Sequence, residues 1–128
     1  MSFLKNIFGN NESQKEESKM EWSLLNEMEQ LNDIISESNE NPIVIFKHST
    51  RCIISRTVLK NFEKTFDLEE KVKPYFLDLL EFRPISNEIA SVFNVTHQSP
   101  QLLVIKNGVC VYDASHDGIE VDSLRKFV

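Results

Sequence analysis

The sequence predicts an α/β domain in which a mixed central β-sheet carries helices on both faces. Short β-branched and aromatic runs alternate along the chain with segments whose apolar residues recur at helical spacing. The run Ile43-Val44-Ile45-Phe46-Lys47 is continuous rather than alternating, as expected for a strand buried on both faces. Near the C-terminus, Asn107-Gly108 separates two β-type runs and signals a tight hairpin. Strands joined through helices should run parallel, whereas the hairpin forces an antiparallel pair, so the sheet must be mixed.

Each element has its own signal. Residues 1–20 read as a flexible polar tail, and residues 21–128 as the folded domain. Within the tail, Asn10 to Lys19 is polar and charged without apolar rhythm, whereas Phe3 to Phe8 has the makings of one or two amphipathic turns. Trp22 to Leu25 reads as a short edge strand. Asn26, with Glu29 three residues on, predicts a helix cap, followed by Met28, Leu31, Ile34 and Ile35 on one face. Asn39, Asn41 and Pro42 stop that helix ahead of the Ile43 strand. Cys52 opens the next helix, whose stripe is Ser55, Leu59, Phe62 and Phe66 with Val58 beside it. Tyr75 to Leu80 reads as a strand. Pro84 opens a helix with Ile85, Ile89, Val92 and Phe93 at helical spacing. Gln101 to Lys106 and Val109 to Asp113 form the hairpin, and a short helix spans Asp122 to Phe127. The resulting order, β-α-β-α-β-α-β-β-α, is that of the thioredoxin-like three-layer sandwich.

Composition bounds the function. A chain of 128 residues, 41% hydrophobic and 27% charged, makes one globular domain with one core. Its net charge of −6 opposes nonspecific nucleic-acid binding. No apolar run approaches the ~20 residues needed to span a bilayer, and no secretory leader pattern is present. Two cysteines, Cys52 and Cys110, cannot make a disulfide scaffold, and no Cys/His spacing suggests a metal site. A cytoplasmic protein is therefore expected, and as a monomer.

The chemistry concentrates at Cys52, where the strand breaks through His48-Ser49-Thr50-Arg51 into a helix. A sulfur at a helix start faces unpaired backbone N–H groups and the positive dipole end, which favour the reactive thiolate. Arg51 adds positive charge. A readily ionised sulfur is also a good leaving group from a mixed disulfide, which suits thiol transfer better than a permanent crosslink. Ser55 stands where a C-x-x-C motif has its resolving cysteine. Its hydroxyl can donate to a thiolate but cannot displace a disulfide, so Cys52-x-x-Ser55 implies a monothiol cycle resolved by an external thiol. Cys110, in Val109-Cys110-Val111-Tyr112, reads as a buried structural cysteine. Before the hairpin, Ser99-Pro100 is either an ordinary trans turn or a cis bond that presents backbone to an extended substrate. His48 is a candidate for tuning the sulfur or a solvated loop histidine, and His97 and His116 complete no metal motif.

Taken together, Phe46-Lys47-His48-Ser49-Thr50-Arg51-Cys52, Ile54-Ser55, Ser86-Asn87-x-Ile89-Ala90, His97-x-Ser99-Pro100-Gln101, Lys106-Asn107-Gly108 and Ala114-Ser115-His116 resemble the monothiol bacilliredoxin (YtxJ-type) family of the thioredoxin-like superfamily. The likeness runs from about Trp22 to the C-terminus. It implies a thiol-disulfide oxidoreductase that removes bacillithiol from protein mixed disulfides, with Cys52 catalytic and Thr50, Arg51, Ser55, Ser99 and Pro100 around the substrate. It also implies bacillithiol as co-substrate with no tightly bound cofactor, and thiol-modified cytoplasmic proteins as partners. Ile53 departs from the pattern, since the family usually has proline there. An N–H is thereby restored beside the sulfur, which predicts altered reactivity with the fold retained. Physics alone does not select bacillithiol over glutathione or coenzyme A. A noncatalytic thioredoxin-like binding or stress-response module stays open as the alternative. An iron–sulfur carrier of the monothiol glutaredoxin type is disfavoured by Ile53-Ile54-Ser55, where that family has Gly-Phe-Ser.

Overall fold

The computed structural model describes residues 20–128, so the amphipathic Phe3–Phe8 segment and the rest of the tail up to Lys19 lie outside the described residues. Met20, the last residue assigned to the tail, is buried in the core beside Phe66, Leu68 and Val72. The elements run β1 (Ser23–Leu24), α1 (Gln30–Glu37), β2 (Ile43–His48), α2 (Ile53–Thr65), β3 (Lys73–Asp78), α3 (Arg83–Val92), β4 (Gln101–Lys106) and β5 (Val109–Ser115). Two 3₁₀ segments follow, His116–Gly118 and Val121–Phe127. The five strands are ordered β1-β3-β2-β4-β5. β1, β3 and β2 run parallel, while β4 is antiparallel to both β2 and β5. The mixed three-layer sheet anticipated from the element order is the one observed.

β2 explains the layering. All six of its residues are buried, and they point alternately to the two faces. Val44 and Phe46 pack with Val58 and Phe62 of α2 and with Val121 and Leu124 of the terminal 3₁₀ segment. Ile43 and Ile45 pack with Leu31 and Ile34 of α1 and with Ile85 and Ile89 of α3. An aromatic chain ties the first cluster together: the Phe62 ring centroid lies 5.8 Å from Phe46, 5.7 Å from Phe66 and 6.2 Å from Trp22. The Trp22 indole N–H donates to Glu63 at 2.7 Å, fixing the chain's entry against α2.

Several local expectations are corrected. Asn26 does not cap α1: the helix starts at Gln30, and its N-cap residue is Glu29, with no side-chain cap bond. Instead, Gln30 folds back so that its side-chain oxygen accepts from the N–H groups of Asn26 and Glu27, while its Nε2 donates to the Leu24 carbonyl. Met28 therefore precedes the helix and is 44% exposed. Val92 also faces solvent, although Ile85, Ile89 and Phe93 are buried as the spacing required. The terminal segment is 3₁₀ rather than α. Val121 and Leu124, three apart, stack on one face of a three-residue turn, so apolar spacing alone did not separate the two forms. The hairpin turn does follow its signal: Asn107 and Gly108 both have positive φ (53° and 80°), as a type I′ turn requires. Ser38 docks that turn onto α1, its Oγ accepting the Gly108 N–H and its carbonyl accepting the Asn107 N–H. Beyond the turn, Val111 is an extra residue in the β4–β5 ladder, which returns to register at Val104–Tyr112.

Candidate active site

Cys52 is the N-cap residue of α2. Its backbone is extended (φ −106°, ψ 121°), and its carbonyl already accepts the first helical bond, from the Arg56 N–H. The Cys52 N–H in turn donates to the Ser49 carbonyl at 3.2 Å, closing the turn that leaves β2. The thiol is partly exposed and free. Thr50, Arg51, Ile53 and Ile54 around it are exposed, Ile53 to 70%. The sulfur thus sits at a helix N-terminus flanked by an apolar pair, with the Arg51 cation beside it in sequence.

Ser55 occupies a different position from the one its motif suggested. It is fully buried, and its oxygen accepts the Ser49 N–H at 3.1 Å and lies 2.8 Å from His48 Nδ1. The hydroxyl is therefore spent holding the 49–52 turn against α2 and does not lie on the surface that a substrate would touch. His48 is buried too, and burial lowers its pKa, with Arg56 adding to the effect and Asp78 opposing it. Ser55→Ala is expected to strip the partner from the buried His48 ring and the half-buried Ser49 amide and to cost about 1–3 kcal/mol. Thermal unfolding checks this. If Ser55 acted on the sulfur instead, the same change would alter iodoacetamide labelling of Cys52 and leave Tm in place.

The loop before β4 reaches the same end of the sheet. Lys47, near the end of β2, pairs with Gln101, the first residue of β4, so Ser99 and Pro100 emerge beside the strand end that leads to Cys52. The Ser99–Pro100 bond is cis. Pro100 is buried, and its carbonyl accepts the His116 N–H, while Ser99 is half-buried. Among the described residues, none pairs with the backbone N–H or C=O of Ser99. The sequence-selected residues Cys52, Thr50, Arg51, Ser99 and Pro100 therefore share one end of the sheet, with Ser55 beneath them.

Cys110 lies elsewhere. It pairs with Ile105, which pairs with Ile43 at the beginning of β2. The length of β2, about 16 Å at ~3.3 Å per residue, separates that line from the Cys52 end. The thiol is half-buried against the Ile43–Ile105 face rather than sealed inside it, and donates to the Tyr112 carbonyl at 3.3 Å. Burial pushes its pKa up, away from the nucleophilic form. Sequence reasoning missed Lys47 and Gln101. Lys47 was legible only as a charged residue closing an otherwise apolar strand, and its side chain is covered by α3 and the loop before β4, where it meets Ser86 and His97.

Comparison with known proteins places this geometry. A sequence-family model described as monothiol bacilliredoxin BrxC matches residues 23–124. A solved thioredoxin-fold structure, assigned as a candidate oxidoreductase, superposes with a TM-score of 0.70 at 33% identity, over 80% of this chain and 89% of that one. Malassezia sympodialis thioredoxin gives 0.66 at 17% identity, over 86% and 90% of the two chains. Arabidopsis thaliana thioredoxin O2 in its oxidized state gives 0.61 at 21%, over 83% and 90%. The last two share the fold alone.

Proposed function

The chain belongs to the monothiol bacilliredoxin family, and from that premise we propose that it is a one-cysteine reductase that strips bacillithiol from thiol-modified proteins in the cytoplasm. Family membership and the thioredoxin fold support thiol-disulfide redox chemistry; the bacillithiol specificity, the cytoplasmic setting and the cycle are our reading. The observation that carries it is a lone, partly exposed cysteine at a helix N-terminus, on the same sheet end as Ser99-Pro100, with the second cysteine at the opposite end.

In this cycle the Cys52 thiolate attacks the bacillithiol sulfur of a protein–S–S–bacillithiol disulfide. A Cys52–bacillithiol disulfide forms, and the protein leaves as a thiolate that takes a proton from solvent. A second bacillithiol thiolate then attacks the bacillithiol sulfur on Cys52, releasing oxidised bacillithiol disulfide and the Cys52 thiolate. One bacillithiol thiol is thereby oxidised for each protein thiol restored, the other bacillithiol sulfur staying at the disulfide level throughout. The unpaired Ser99 backbone pairs with the extended substrate, and Thr50 and Arg51 line its approach. Bacillithiol is a co-substrate rather than a resident group.

A test is the rate at which a bacillithiol-modified protein regains its free thiol when the enzyme is supplied with bacillithiol, glutathione or coenzyme A. Turnover with bacillithiol and little with the others is expected. Equal turnover with all three would remove the specificity, and none with any would leave a binding module.

A further inference from the structure

We propose that Lys47 is a positioning residue for substrate: its buried ammonium grips His97 and so fixes the Thr96–Pro100 loop where a protein disulfide must lie across it. The inference rests on the thiol-transfer reading above.

Lys47 is 0% exposed, on the face of β2 opposite Phe46 and His48, within the layer formed by Ile45, Leu77 and Ile85. Among the described residues, no carboxylate lies within ion-pair distance of it. Its Nζ is 3.1 Å from His97 Nδ1 and donates to the Ser86 carbonyl at 3.5 Å. The Ser86 hydroxyl reaches the same Nδ1 at 3.4 Å. An ammonium has only donors, so Nδ1 must accept, which puts the ring proton on Nε2 and keeps the imidazole neutral. Burial, the Lys47 charge and Arg83 all depress the His97 pKa, consistent with that assignment.

A buried cation without a counter-ion is costly, and an apolar side chain would suit this layer better. Apart from a long contact to a carbonyl of α3, what the charge gains is a hold on one loop. That loop is closed a second time by Gln101, which faces Lys47 across the ladder: its Nε2 donates to the Thr96 carbonyl at 2.9 Å, and its Oε1 accepts the Gln98 N–H at 3.4 Å. With Pro100 tied to His116, the loop is anchored on both sides of Ser99, whose backbone stays free. Lys47 thus acts through His97 and touches no reacting atom.

The test compares Lys47→Met, His97→Leu and His97→Asn with wild type in two assays. One measures KM and kcat for transfer from a bacillithiol-modified protein; the other measures labelling of Cys52 by iodoacetamide, a reagent too small to need the loop. Lys47→Met and His97→Leu are expected to raise KM about tenfold or more, since misplacement by about 1 Å at a reacting site has large kinetic effects. Labelling should stay at the wild-type rate. His97→Asn, which offers an amide oxygen near the place of Nδ1, should recover most of the loss, and the double variant Lys47→Met/His97→Leu should be no worse than either single one. Unchanged KM in both single variants, with wild type active, overturns the inference alone. Slowed labelling with lowered Tm in Lys47→Met would mark a merely structural role and also overturn it. Absence of transfer by wild type removes the underlying reading instead.

Discussion

Phe62→Ala is expected to destabilise the domain by about 3–5 kcal/mol, a large part of the ~5–15 kcal/mol that holds a typical domain together. Phe62 is 1% exposed and, among the described residues, is the one ring that packs against all three of Trp22, Phe46 and Phe66. Removing it loses transfer free energy and leaves a cavity between α2 and β2 that rigid neighbours fill poorly. The consequence extends to the site, because Cys52 sits at the other end of the same helix. Urea unfolding followed by circular dichroism should show a large fall in midpoint, with iodoacetamide labelling of Cys52 losing its dependence on native structure as the helix loosens. A loss under 1 kcal/mol would mean that the aromatic chain does not anchor α2.

Lys47→Met should do the opposite and stabilise the protein near neutral pH while weakening transfer. Burial lowers the Lys47 pKa from 10.5 to about 8. Above pH 10.5 the amine is neutral in both folded and unfolded chains, and its ionisation costs nothing. As pH falls from 10.5 to 8, the unfolded chain takes up a proton that the folded chain resists, so stability declines. Below pH 8 the deficit is constant at about 3 kcal/mol. Methionine fills a similar stem volume without the charge but loses the bond to His97, worth about 1 kcal/mol. The net gain at pH 7 is then about 2 kcal/mol, or several degrees in Tm. Its signature is pH dependence: the advantage over wild type should shrink as pH rises through 8 toward 10.5. A variant less stable than wild type at pH 7 would show that the ammonium is better satisfied than its contacts indicate.

Much of this architecture was legible because local signals agreed with the global packing. The apolar run at Ile43–Phe46, the helix opening at Cys52, Pro84 and Asn107-Gly108 each carry a backbone preference that tertiary contacts reinforce. The failures have definite causes. Gln30 outcompeted Asn26 because its longer side chain reaches back to two N–H groups at once. Ser55 was assigned to the thiolate on spacing, but the His48 ring and the Ser49 amide, unreadable as neighbours from sequence, claim its oxygen. Lys47 was passed over because lysine is rarely buried, and only the packing of α3 and the His97 loop over a central strand closes its side chain off from water. At Cys110 the alternating pattern pointed inward, whereas the extra residue Val111 and the edge position leave it half-covered.

In the proposed cycle Cys52 alone receives the small thiol. Incubating the full chain with a bacillithiol-modified protein, quenching with acid and mapping the peptides by mass tests it most directly. Bacillithiol is expected on the peptide containing Cys52, none on the Cys110 peptide, and no uptake at all by Cys52→Ser. Bacillithiol on Cys110, or undiminished uptake by Cys52→Ser, would contradict that cycle.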